Sequence, residues 1–250
     1  MDARAFLNRV LEHKQSFGPR PDDGLRALIK MEREICENRL MNDKSTRLSI
    51  GDESFSPSEF FGRLRDLLSP DAILVTDAGY NERLTLQHWQ VTAPRTLINP
   101  SDYESMGFAV PVAIGAALFS PGKQVVAITG DGGLVMSGLE MMTAAREKID
   151  LTIIVLNNEG FGIIKQIQEE TFGASTAVDV GAPDFRALAA SIRINFHPPV
   201  GGLSALDQAL RQQGPTLLEI KMEHSDQDAW AMNKRRWKYD LKQVAQQLFK

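Results

Sequence analysis

"ITGDGGLVMSGLEMMTAAREKIDLTIIVLNNEGFGI", residues 128–163, decides how this chain folds. One apolar run ends in Gly130-Asp131-Gly132, and the next, 151–156, ends in Asn157-Asn158-Glu159-Gly160. Runs this short, continuous and rich in β-branched residues fit strands buried on both faces. In an open parallel sheet, ligands gather at the carboxyl ends of the strands, where loops leave for the helices. If these two strands are neighbours, their exits stand about 5 Å apart. Asp131 and the two amides can then converge on one small object.

The same pattern continues in both directions. "AILVT" (72–76), "QVVAIT" (124–129), "LTIIVL" (151–156) and "TLLEIKM" (216–222) are the predicted strands. Helical segments near 81–89, 107–119, 137–147, 184–191 and 203–213 lie between them. Such alternation predicts an α/β fold, a mostly parallel sheet with helices on both faces. "SPSEFFGRLRDLL" opens the compact part, with Ser56 as N-cap, Pro57 as the first helical residue and Glu59 completing a capping box. Residues 1–50 read as a polar helical arm or linker, broken at "SFGPRPDDG" (16–24). Residues 51–223 read as the compact domain, and 224–250 as a polar arm ending in a helix.

Composition excludes several classes of function. A net charge of −4 argues against a non-specific nucleic-acid binder, which needs clustered Lys and Arg to neutralise phosphates. The basic cluster "NKRRWKY" (233–239) reads as the solvated face of a terminal helix. A single cysteine, Cys36, rules out an internal disulfide and a Cys-rich metal site. No signal peptide and no apolar run of about 18 residues is visible, so the expectation is a cytoplasmic chain without a membrane span. No Gly-x-Gly-x-x-Gly follows the first strand with an acidic residue about 20 positions on, which removes a dinucleotide-dependent oxidoreductase.

The strand exits carry the chemistry. A carboxylate beside an amide oxygen is a hard-oxygen pair suited to Mg²⁺, which takes few protein ligands and completes its shell with water and phosphate. Gly160 lacks a Cβ, so its carbonyl is free to turn toward the same ion. Gly132 and Gly133 lead into a helix whose first amides suit phosphate oxygens. The residues thus read as Mg²⁺ holding a diphosphate. The ordinary alternative is a plain strand-to-helix turn at Gly-Asp-Gly and a turn or cap at Asn-Asn-Glu-Gly.

Gly-Asp-Gly, then about two dozen residues, then Asn-Asn after a hydrophobic strand resembles the signature of thiamine-diphosphate enzymes. "SDYESMGFAVPVAIGAALFSPGKQVVAITGDGG" (101–133) is similar to their acetolactate synthase and pyruvate oxidase branch. The resemblance spans roughly residues 56–222 and corresponds to the diphosphate-binding (PP) domain. It implies thiamine diphosphate and Mg²⁺ as cofactors, with the metal on Asp131, the Asn158 side chain and the Gly160 carbonyl. It implies Gly132 and Gly133 at the diphosphate, joined by Tyr80 and Asn81 of "TDAGYNE", and counts Gly130, Phe161, Gly162 and Ile163 as cofactor neighbours. In "ESMGF" it implies that Met106 props the cofactor into a bent shape and that the backbone at Glu104 and Met106, with Ser105 between, meets the aminopyrimidine. Relatives often carry Gly where this chain has Glu104, whose side chain therefore needs somewhere to go. Outside that frame Met106 is a core residue, and Tyr80-Asn81 only a helix start.

In such enzymes a glutamate from a separate pyrimidine-binding (PYR) domain activates the cofactor across a subunit interface. No stretch of residues 1–50 reads as that domain. The resemblance therefore implies the PP subunit of a two-component enzyme acting on a 2-oxo acid, with a PYR-domain partner, in a heterotetramer. Simple decarboxylases of the family place a glutamate where this chain has Ile164. An apolar side chain cannot deliver a proton, which favours acyl transfer to an acceptor over release of an aldehyde. Ile163 and Ile164 read equally well as helix core. A simple decarboxylase subunit and a non-catalytic cofactor-binding or scaffold subunit remain as alternatives. His13, His88, His197 and His224 do not cluster; His224, with Asp226 and Trp230, opens an arm that could close over a cofactor.

Overall fold

The computed structural model describes residues 46–198 and 200–224. Expectations about the arms, including His13, Cys36, Asp226, Trp230 and the 233–239 cluster, lie outside the described residues, as does the side chain of His224. In chain order the elements are β1 (Thr46–Ile50), β2 (Glu53–Phe55), α1 (Pro57–Leu67), β3 (Ile73–Thr76), α2 (Tyr80–His88), β4 (Leu97–Ile98) and α3 (Ala109–Phe119). Next come β5 (Val125–Gly130), α4 (Asp131–Ser137), a 3-10 turn (Gly138–Glu140), α5 (Met141–Arg146), β6 (Thr152–Asn157) and α6 (Gly162–Phe172). The described part closes with α7 (Phe185–Ile192), β7 (Asn195–His197), α8 (Leu203–Arg211) and β8 (Thr216–His224).

The fold is α/β, and the strands form one sheet in the order β2-β1-β8-β6-β5-β3-β4, with β7 also on β8. β3, β4, β5, β6, β7 and β8 run parallel, and β1 and β2 add an antiparallel edge. Alternate residues of the central strands enter two separate cores, which is why their sequences read as unbroken apolar runs. Leu74, Ile128, Ile154 and Leu218 pack with Phe60, Phe61 and Leu64 of α1 and Leu206 of α8. Val75, Ala127, Ile153 and Leu217 pack with Ala113 of α3, Met141 of α5 and Phe185 of α7. Each fully buried Phe or Leu contributes about 2 kcal/mol.

The capping box forms as predicted: Ser56 Oγ accepts from Glu59 N at 3.2 Å, and Glu59 Oε2 accepts from Ser56 N at 2.7 Å. Three expectations are corrected. Residues 46–50, assigned to the arm, are strand β1, paired antiparallel with 221–224 of β8. Five residues whose partner is far away in sequence give little local signal. The helix near 137–147 is instead split, with α4 starting at Asp131 and a 3-10 turn at Gly138 before α5. Finally, the predicted helices leave 157–183 without one, whereas residues 162–172 form α6, which agrees with the reading of Ile163 and Ile164 as helical.

From β3 the chain steps outward to β4 and returns to β5 on the other side of β3. The crevice beyond the ends of β3 and β5 is therefore a topological switch point, where open α/β sheets bind ligands.

Candidate cofactor site

β5 and β6 are neighbours, and Gly130 pairs with Leu156. The carboxylate of Asp131 and the amides after Leu156 thus leave the sheet side by side. Asp131 is almost fully buried. Its Oδ1 accepts from Gly132 N and its Oδ2 from Gly160 N, each at 2.9 Å. One carboxylate therefore ties the two strand exits together. Burial pushes its carboxyl above the ordinary aspartate range, against the backbone N–H groups that hold it down. A cation beside it relieves that cost, as a partner does for any buried charge.

The two asparagines divide their work. Asn157 is buried; its Nδ2 donates to Glu219 Oε1 at 2.7 Å and its Oδ1 accepts from Glu159 N at 3.0 Å. It builds the turn. Asn158 lines the cavity together with Asp131 and Gly160. Among the described residues no group of three or more His, Cys, Asp or Glu side chains is placed to hold a metal ion. The donor set on offer is thus one carboxylate with neutral oxygens, which suits Mg²⁺.

The cavity has a volume of about 570 Å³ and lies at the switch point. It is lined by Tyr80, Asn81, Glu104, Met106, Gly130, Gly132, Gly133, Phe161, Gly162 and Ile163, all expected from the sequence. Ser105 is exposed and does not line it. Two glycines show how closely the wall is drawn. A Cβ on Gly132 would lie 2.9 Å from the Phe161 ring and 3.0 Å from Met106 Cε, and one on Gly162 would lie 2.2 Å from Asn158 Nδ2. The absence of a Cβ at these positions lets Phe161 and Met106 pack against Gly132, and Asn158 and Tyr80 against Gly162.

Tyr80 and Asn81 mostly serve the frame. The Tyr80 hydroxyl donates to Gln166 of α6, and Asn81 Nδ2 donates to the Asp77 carbonyl. α6 divides the two isoleucines: Ile163 packs partly against the core, whereas Ile164 is 44% exposed and lines the cavity with Ile167.

Sequence reasoning missed Asp77, Glu82 and Arg83. Asp77 is fully buried. Its Oδ1 accepts from Ala78 N at 2.9 Å and Gly107 N at 2.8 Å; its Oδ2 accepts from Ala109 N at 3.0 Å and Thr129 Oγ1 at 3.3 Å. It pins the 104–107 turn and the start of α3 to the end of β3. A signal existed, since Asp77 follows a buried strand directly, as Asp131 does. Arg83 lies 4.7 Å over the Tyr80 ring. Glu82 is buried and accepts from Asn99 Nδ2 at 2.8 Å.

Fold and site together define a cofactor-binding domain of the thiamine-diphosphate class. The family model "Thiamine pyrophosphate enzyme, C-terminal TPP binding domain" matches residues 77–220, and the chain belongs to that family. It is 31% identical over 189 residues to acetolactate synthase isozyme 2 large subunit of Escherichia coli K12, covering 73% of this chain and 34% of that one. Isozyme 1 of the same organism is 31% identical over 158 residues, 61% of this chain and 28% of that one. The chain thus spans about a third of the length of these relatives. A solved structure, the thiamine diphosphate-dependent 4-hydroxybenzoylformate decarboxylase of Rhodococcus jostii RHA1, is similar with a TM-score of 0.62 and 26% identity, covering 68% of this chain and 33% of that one. No helix among the described residues is long and apolar enough to cross a membrane.

Proposed function

We propose that this chain is the PP subunit of a two-component enzyme that binds Mg²⁺–thiamine diphosphate, decarboxylates a 2-oxo acid and transfers the acyl group to an acceptor. The observation that carries this reading is the Asp131 carboxylate joining the exits of β5 and β6, with Asn158 on the same cavity. Asp131, the Asn158 amide and the Gly160 carbonyl would hold the metal, and Gly132 and Gly133, on the same cavity, would lie at the diphosphate. Bound there, thiamine diphosphate supplies the electron sink that lets the carboxylate of a 2-oxo acid leave.

The chain's own residues bind, orient and exclude water. Met106 and Phe161 give the cavity an apolar wall, and Asp77 holds the turn that carries Met106. Ile164 and Ile167 present no proton donor to the cavity, which supports acyl transfer over protonation and release. The acetolactate synthase relatives support the same reading. The similar decarboxylase structure supports a simple decarboxylase as the second reading.

Exposed apolar side chains support a partner that completes the site. Leu86, Met106, Ile164 and Ile167 stand at the cavity, and Val135, Met136, Leu139 and Met142 are exposed along α4, the 3-10 turn and α5, which follow Asp131 directly. Contiguous exposed apolar residues mark interaction surfaces. The test has two stages. Calorimetry should detect Mg²⁺-dependent thiamine diphosphate binding to the full chain, and Asp131→Ala should abolish it. Mixing with a PYR-domain chain should then convert a 2-oxo acid to a ligated hydroxyketone. Free aldehyde as the sole product would select the simple decarboxylase, and full activity in the Asp131→Ala complex would refute the metal assignment.

A further inference from the structure

Glu159 stands between two residues assigned to the metal, Asn158 and Gly160, and its backbone is left-handed, with φ +61°. Side chains other than Gly, Asn and Asp rarely adopt that conformation, so local preference does not hold this turn. A closed ring of four residues at the exits of β6 and β8 does. Asn157 Oδ1 accepts from Glu159 N at 3.0 Å, and Asn157 Nδ2 donates to Glu219 Oε1 at 2.7 Å. Lys221 Nζ lies 3.3 Å from the same Glu219 oxygen and donates to Glu159 Oε1 at 3.2 Å. Lys221 thus closes the ring, joining the carboxylate behind the turn to the carboxylate on it.

The sheet register lets the lysine reach. Lys221 pairs with Asn157 across the β6–β8 ladder, and Glu219, two residues earlier, shares its face of β8. An isolated surface ion pair contributes little. This one ends on Glu219, whose oxygen is already fixed by the buried Asn157. The peptide that follows is gripped at both ends. The Glu159 carbonyl accepts from Gly181 N at 3.0 Å, and Gly160 N donates to Asp131 Oδ2 at 2.9 Å. The side chain of Glu159 is held by Lys221. By charge alone, a lysine beside a cation site works against the cation. Holding the turn is the use that the ring gives it.

We propose that Lys221 is a positioning residue for the cofactor metal: through Glu159 it holds the left-handed turn that carries Asn158 and Gly160. The inference rests on the reading of that turn as metal-binding. Without the clamp the turn samples other conformations, and apparent affinity falls in proportion to the fraction of chains whose turn is competent.

Charge and positioning predict opposite signs for Lys221→Met. Removing the cation leaves Glu159 and Glu219 uncompensated, so a purely electrostatic role would tighten Mg²⁺ binding. A positioning role weakens it, by up to about fivefold for an ion pair this exposed. Calorimetry of Mg²⁺–thiamine diphosphate binding to the full chain, across a Mg²⁺ series, should show the weakening in Lys221→Met and its rescue in Lys221→Arg. Glu159→Gly supplies a second arm, because glycine adopts the left-handed conformation without a restraint. In that background Lys221→Met should change affinity by less than about twofold, since residues acting through one contact are not additive.

The second readout needs no cofactor. The N–H groups of Glu159 and Gly160 donate to Asn157 and Asp131 in the ordered turn, and their hydrogen exchange reports its opening. Exchange at both should quicken in Lys221→Met and return to the wild-type rate in Lys221→Arg. Unchanged exchange, an unchanged or tighter Mg²⁺ complex in Lys221→Met, or an equal loss in the Glu159→Gly background overturns the proposal. If exchange responds but not even the wild type binds Mg²⁺–thiamine diphosphate, the reading of the cavity falls and takes the metal role with it. The clamp on the turn is then what stands.

Discussion

The cavity has two walls, and they are held in different ways. The wall at the exits of β5 and β6 is fixed by backbone N–H groups donating to one carboxylate, Asp131. The wall at the exit of β3 is fixed by Asp77 behind it, which accepts from Gly107 N and Ala109 N. The first wall places a negative charge where a cation can meet it. The second keeps its carboxylate, Asp77, behind the wall, where N–H and O–H donors occupy both oxygens. A diphosphate and a heteroaromatic ring make opposite demands, and the two walls differ in the same sense.

The comparison breaks most completely at Asp131. Asp131→Ala removes the charge of the first wall, and Mg²⁺–thiamine diphosphate affinity should drop by more than about 100-fold, beyond the effect of losing a group that merely supports a ligand. Calorimetry across a Mg²⁺ series checks this. Next is Asp77→Ala, which strands the N–H groups of Gly107 and Ala109 behind the second wall. Unfolding in urea should show a loss of about 3 kcal/mol, the cost of unpaired buried donors.

Gly162→Ala sharpens the contrast without breaking either wall. The new methyl would sit 2.2 Å from Asn158 Nδ2. Asn158 must swing away, so Mg²⁺-dependent binding should weaken by about tenfold, an energy of about 1.4 kcal/mol. The smallest effect is expected at Tyr80→Phe, which removes the hydroxyl bridging α2 to Gln166 on α6. A stability loss of about 1 kcal/mol is expected in the same urea assay. A larger loss would show that the two walls are coupled through this bridge.

The strands and Gly-Asp-Gly were legible because burial on both faces writes itself as continuous apolar sequence. Asp131, Asn158 and Gly160 were legible for a related reason: strand exits are defined once the strands are. β1 was not, because its pairing with residues 221–224 is set by contacts remote in sequence. Asp77 carried the same local signature as Asp131, yet its role depends on Gly107 and Ala109 folding back against it. Ser105 shows the converse, since adjacency to Glu104 and Met106 in sequence does not put it on the cavity.

The amino-acid sequence alone determined the α/β class, the pair of neighbouring strand exits and the hard-oxygen chemistry offered there. These follow from periodicity and residue type, which are local properties. Only the tertiary structure decided that Asn157 builds the turn while Asn158 faces the cavity, and that Asp77 gathers Gly107 and Ala109 to the end of β3. Those outcomes depend on where side chains from distant segments point, and it is the packing of helices on the sheet that fixes their direction.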